Sequence, residues 1–176
     1  WLAGADLNDL TALVSEWLMT SDPADADADV VDAQYIPLRD GLSNSFNKFA
    51  AGGSARVAFL GGSITYNGLI NGRPESWRDY VGDHLQTIFP DTSFDFINGG
   101  INSTTSTPGA FRVMRDIFHR GQVDLLFVEF AVNDMNSGRS SQEVIRAMEG
   151  IVRHGRLLNP EIDIVMMFFA DSANVN

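Results

Sequence analysis

A chain of 176 residues, 44% of them hydrophobic, is long enough for one ordinary domain with a short appendage and apolar enough to bury a sizeable core. Its net charge of -11 makes nucleic acid and anionic membrane surfaces poor partners. The absence of cysteine removes disulfides, thiolate metal sites and a cysteine nucleophile, and no apolar run approaches the roughly 18 residues of a membrane span.

The chain opens at Trp1 with neither an initiator Met nor the basic region of a signal peptide, so it reads as a piece of something longer. Over residues 1–20, Leu7, Leu10, Leu13, Val14, Trp17 and Leu18 recur at three- and four-residue spacing, which predicts a short amphipathic helix. Residues 21–34 are rich in Ala and Asp and read as a linker. The alternate spacing of Asp25, Asp27 and Asp29 suits calcium, but no Gly or twelfth-position Glu follows, so a solvated acidic linker without metal is the preferred reading. The expected division is therefore 1–34, helix and linker, and 35–176, a globular domain.

From residue 54 the pattern changes. Residues 56–60 form an apolar run ending at Gly61-Gly62, the first strand. Residues 75–89 carry Trp77, Tyr80, Val81, Leu85 and Ile88 in a helical stripe, and 93–97 a second strand ending at Asn98-Gly99-Gly100. A second helix over 108–120 presents Phe111, Val113, Met114, Ile117 and Phe118. A strongly apolar third strand spans 124–132. A long helix over 140–158 places Val144, Ile145, Met148, Ile151, Val152 and Leu158 inward, and a fourth strand spans 162–170. Strands that alternate with helices imply crossover connections, hence an α/β fold with a mainly parallel sheet and helices on both faces. Near-continuous apolar strands fit that arrangement.

In such a fold functional groups gather in the crevice at the carboxyl edge of the sheet. Three strands end here in polar, turn-rich sequence: Gly-Gly-Ser at 61–63, Asn-Gly-Gly at 98–100 and Val-Asn-Asp at 132–134. A serine just past a strand can present its hydroxyl to the crevice, and Gly61-Gly62 allows close approach by substrate. The N–H of Ser63, an N–H from the 100–104 turn and the Asn133 side-chain amide could converge on a developing oxyanion, each such donor being worth roughly 3–4 kcal/mol. Singly, Gly-Gly-Ser is usually just a turn, and Asn-Asp a cap or turn; Asp134 reads as turn-stabilising. The order and spacing of all three blocks carry the functional reading.

Those blocks resemble the SGNH/GDSL hydrolases. Gly61-Gly62-Ser63-Ile64-Thr65 is similar to the first block, in a variant with Gly-Gly-Ser for Gly-Asp-Ser. Residues 98–106 resemble the second block, and 127–134 the third, with Asn133 in the place of its Asn. The resemblance spans roughly 54–170. It implies a three-layer α/β/α flavodoxin-like fold and a serine esterase that works without cofactor through an acyl-enzyme on Ser63. The oxyanion hole would be the N–H of Ser63, a second-block N–H and Asn133. The second-block glycine of many members falls at Ser103, whose backbone N–H can still serve, with Gly100 as the alternative donor. The family's Asp-Xaa-Xaa-His block, expected after the last strand, has no counterpart before Asn176. His119 has that spacing from Asp116, but next to Gly121 it reads as a helix-end residue, and His84 and His154 read as surface or packing residues. The triad Asp and His are thus expected outside the sequence, leaving this piece weakly active or inactive.

Residues 6–18 also resemble the end of a dockerin repeat, which implies a protein partner for the head of the chain and a secreted enzyme of polysaccharide breakdown. The resulting expectation is hydrolysis of short acyl groups, acetyl first, on small-molecule or polysaccharide esters. A lysophospholipase, a thioesterase and a non-catalytic binding module of the same fold are the alternatives.

Overall fold

A computed structural model describes residues 41–67 and 76–169. The helix and linker expected over 1–34, with the dockerin-like segment and the alternating aspartates, lie outside them.

The described chain begins with α1 (Ser43–Ala50), β1 (Gly53–Gly61), a short α2 (Ser63–Asn67), α3 (Trp77–Ile88) and β2 (Thr92–Gly100). It continues through α4 (Ser106–Asp116), a 3-10 turn at Phe118–Arg120, β3 (Leu125–Glu129), a short α5 (Ala131–Asn136), α6 (Ser141–Leu158) and β4 (Asp163–Met167). All three strand pairings are parallel, in the order β2-β1-β3-β4.

Alternation along the strands sorts the side chains into two layers. Ala55, Val57 and Phe59 of β1 join Leu125 and Phe127 of β3 under α1 and α3, which contribute Phe49, Trp77, Val81 and Leu85. Ala58 and Leu60 join Leu126 and Val128 on the other face, under Val113 and Ile117 from α4 and its end and Met148 and Ile151 of α6. Phe59 stacks on Phe127 at 5.3 Å between ring centroids, and Trp77 meets both rings edge-on. Helices on both faces of a parallel sheet make the expected three layers.

Several boundaries differ from the sequence reading. The expected second strand continues through Asn98-Gly99-Gly100, because its glycines still pair with Leu60 and Gly61. The expected third strand stops at Glu129, and Val132-Asn133-Asp134 turns into α5. The 108–120 helix starts at Ser106, ends at Asp116 and tightens into the 3-10 turn. Inward positions also move: Phe111 is 85% exposed and Ile145 61%, whereas Arg112 is 8% exposed. The helix α1, held through Phe46 and Phe49 against Phe89, was not anticipated.

The longest helix, α6, is closed at its start by a capping box. Glu143 N–H donates to Ser140 Oγ at 3.3 Å, and Ser140 N–H to Glu143 Oε2 at 3.0 Å. Replacing Ser140 by Ala leaves one end donor without its side-chain acceptor. The expected loss is about 1 kcal/mol in urea-induced unfolding.

Candidate active site

Register brings the strand ends to one level. Gly61 pairs with Gly100 on one side and with Glu129 on the other. The strand order makes the gap between β1 and β3 the place where connections leave in opposite directions, and ligands bind at such a point in open α/β sheets. The segments leaving these two strands are the ones that carry Ser63 and Asn133.

Ser63 opens α2 and is exposed. This places it at the start of a helical turn rather than in an open loop. The turn is pinned from several sides. Ile101 N–H donates to Gly61 O at 3.0 Å, and Arg78 donates to Thr65 O at 2.5 Å and to Tyr66 O at 3.1 Å. Asn98 Nδ2 donates to the same Tyr66 O at 3.0 Å.

Asn133 stands in the first turn of α5, and its Nδ2 donates to Thr104 O at 2.7 Å. The same nitrogen lies over Gly62, in the space that a Cβ at position 62 would take. A side chain at 62 would have to displace the Asn133 amide from this seat, so the amide sits directly against the residue before Ser63. An amide NH2 carries two hydrogens. One is committed to Thr104, which fixes the side chain and leaves the second for a ligand. The first, second and third sequence blocks thus meet at Gly62, Thr104 and Asn133.

In the second block, Ser103 is exposed and has φ 58, in the left-handed region that glycine favours. A serine thus takes the shape for which a glycine is commonly used, and the turn keeps it. Gly100 N–H is bound to Asn98 Oδ1 at 2.9 Å. That bond commits the alternative donor and leaves Ser103 as the candidate of this turn. Asp134 Oδ1 accepts from Ser106 N–H at 2.9 Å, so this buried carboxylate caps the start of α4.

None of the three histidines of the sequence stands beside Ser63. His119 is in the 3-10 turn, next to Arg120, whose carbonyl accepts from Arg56. The run of β1 from Arg56 to Gly61, at about 3.3 Å per residue, puts roughly 16 Å between that level and the site. His154 precedes Gly155, which packs on Phe118, Ile162 and Ile164 at the same far edge. His84 lies in α3, about 9 Å along the axis from Arg78 and toward the far edge, where Thr92 N–H donates to Phe89 O.

The pattern of the GDSL-like Lipase/Acylhydrolase family matches residues 59–175. The chain belongs to this GDSL-like lipase/acylhydrolase family.

Solved structures agree. A two-domain esterase active on acetylated mannans is 30% identical with a TM-score of 0.63, over 72% of this chain and 33% of that one. The SGNH-hydrolase family esterase AlinE4 is 25% identical with a TM-score of 0.56, over 70% of this chain and 64% of that one. A catalytic mutant of an acetylxylan esterase from Geobacillus stearothermophilus shares the fold at 20% identity and a TM-score of 0.53, over 66% of this chain and 60% of that one. The chain spans about a third of the length of the mannan-active esterase. No curated protein matches the sequence.

Two residues packed beneath this candidate site were not singled out from sequence. Glu129 ends β3 and is 2% exposed. Burial pushes its carboxyl up to about 7; the Asp134 charge adds to that, and the N–H groups of Ala131 and Val132 oppose it. Arg112 donates to the ends of both β1 and β2 from beneath. The available signal was a lone arginine inside an apolar stripe, with Asp116 four residues on, a pairing distance in a helix.

Proposed function

We propose that this chain carries the nucleophile and oxyanion hole of a serine esterase that removes short acyl groups, acetyl first, from carbohydrate. Ser63 Oγ attacks the acyl carbonyl and gives its proton to a general base. The negative oxygen is held by the N–H groups of Ser63 and Ser103 and by the free hydrogen of the Asn133 amide. Collapse expels the sugar hydroxyl, and water then frees Ser63 as the acid departs. The base is assigned to the family's Asp-Xaa-Xaa-His block, outside this stretch, since His84, His119 and His154 are remote. No cofactor is required by these steps.

The observation that carries this reading is the seat of the Asn133 amide, against Gly62 and held by Thr104 O at 2.7 Å. The carbohydrate substrate rests on the mannan-active esterase. Such a substrate suits an exported enzyme.

The test uses the natural protein that contains this segment. A fluorophosphonate reagent is expected to add once, on Ser63, and acetate release from acetylated manno-oligosaccharides is expected to vanish in Ser63→Ala. An unlabelled Ser63, or acetate release unchanged in the alanine variant, would sink the proposal. Labelling without release from any sugar ester, together with turnover of lysophospholipid or acyl thioester, would move the activity to those substrates.

A further inference from the structure

Beneath the crevice, one side chain of α4 reaches the turns that carry Ser63 and Ser103 and, through Thr104, Asn133. Arg112 Nη2 donates to Gly61 O at 2.9 Å, two residues before Ser63. Its Nη1 donates to Gly99 O at 2.6 Å, at the end of β2. Nη2 also approaches Thr104 Oγ1 at 3.4 Å, and Thr104 O is the acceptor that holds Asn133. Thr104 Oγ1 in turn donates to Ile101 O at 2.8 Å, closing the turn that contains Ser103. Asp116 Oδ2 pairs with Nη1 at 2.9 Å, and the guanidinium carbon lies 5.9 Å from the centroid of the Phe130 ring.

The carbonyls of Gly61 and Gly99 lie on neighbouring parallel strands, and Leu60 is the strand partner of Gly99. A planar fork of N–H donors can bridge two such carbonyls, whereas a single ammonium cannot hold both in fixed directions. Arginine is 8% exposed and buried behind the strand ends, so it does not face the crevice. A charge in that place is costly unless paired. Helix α4 thus bears an expense that packing of an apolar residue would have avoided.

From these contacts we infer that Arg112 is a positioning residue for the oxyanion hole. It sets the separation of the Ser63 turn from the Ser103 turn and, through Thr104, the direction of the Asn133 amide. It touches neither substrate nor reacting atom. The inference rests on the esterase reading for its kinetic consequence, but the tie between the turns stands on geometry alone. Both therefore need their own measurement.

The experiment compares wild type, Arg112→Lys and the double variant Arg112→Met/Asp116→Leu, which removes both buried charges, in the natural protein. Amide hydrogen exchange is read over 62–66 and 101–105 against β3, and hydrolysis of 4-nitrophenyl acetate gives kcat and KM. In both variants the two turns are expected to exchange at least about tenfold faster while β3 keeps its protection. In Arg112→Lys, kcat is expected to fall by about 100-fold, the scale of a misplacement near 1 Å, with KM within about twofold. Wild-type exchange in both turns with wild-type kcat would overturn the inference. So would faster exchange spread evenly through β3, which would make Arg112 a general stabiliser. If the wild type itself hydrolyses nothing, the esterase reading fails, and the exchange pattern still decides the positioning role.

Discussion

Replacing Gly100 by alanine is expected to destabilise the protein by at least about 3 kcal/mol, measured by urea denaturation. A Cβ there would run into the backbone nitrogen and Cα of Tyr66 and stand 2.7 Å from the carbonyl carbon of Thr65. These are main-chain atoms of α2, so no rotamer change can make room. Helix α2 is itself tied by Arg78 at Thr65 O and by Asn98 at Tyr66 O. The added methyl must therefore break those bonds or lift β2 from β1. In either case Ser63 moves, and reactivity toward fluorophosphonate is expected to fall with stability. Gly150→Ala supplies the contrast. It lies within α6, where the nearest contact of a new Cβ is Ala110 Cβ at 3.6 Å, an ordinary packing distance. There the better helix former is expected to gain about 1 kcal/mol. Equal small effects at both positions would mean that α2 and β2 do not approach as described.

The second large effect concerns Glu129 and pH. Its carboxyl titrates at about 7 in the folded protein, against an ordinary 4.5. The folded state thus holds a proton that the unfolded chain releases. Stability from this group is fully present below pH 4.5 and is lost as pH rises to about 7. The whole change is about 3 kcal/mol. Glu129→Gln keeps the shape without the ionisation. The difference in unfolding free energy, variant minus wild type, is expected to climb by about that amount between pH 4.5 and 7.5 and then level off. Taking the difference cancels the other carboxylates. A flat difference curve would show that Glu129 titrates normally.

The fold was largely legible because its central strands β1 and β3 are largely buried on both faces and read as apolar runs between helical stripes. The candidate site was legible in its blocks, since Gly62, Ser63 and Asn133 stand where the sheet releases the chain. What periodicity could not supply was the local geometry of the ends. Apolar content carried the expected third strand through Val132, whereas the chain folds at Phe130 into α5 and presents Asn133 from a helical turn. In α4, Phe111 belongs to the apolar stripe the sequence shows, yet it is 85% exposed. The helix instead turns Arg112 to the interior, because three carbonyl and carboxylate partners there outweigh the loss of an apolar contact. A buried arginine looks polar to any hydrophobic pattern, and its acceptors are distant in sequence. Glu129 was hidden differently: inside the expected 124–132 strand it was one charged residue among apolar neighbours, and nothing in the pattern marked it as the buried end of the strand.

Gly100, Gly61, Glu129 and Met167 stand abreast across the four strands. The alignment of Ser63 with Asn133 is therefore inherited from the hydrogen-bond ladder. A slip of β1 by one residue against either neighbour would turn its core side chains outward and carry Ser63 away from Asn133 in the same motion. Correct pairing is thus its own proofreading step. A misregistered chain is unstable and loses the meeting of Ser63 and Asn133 together, so the placement of this serine reports on the register of the whole sheet.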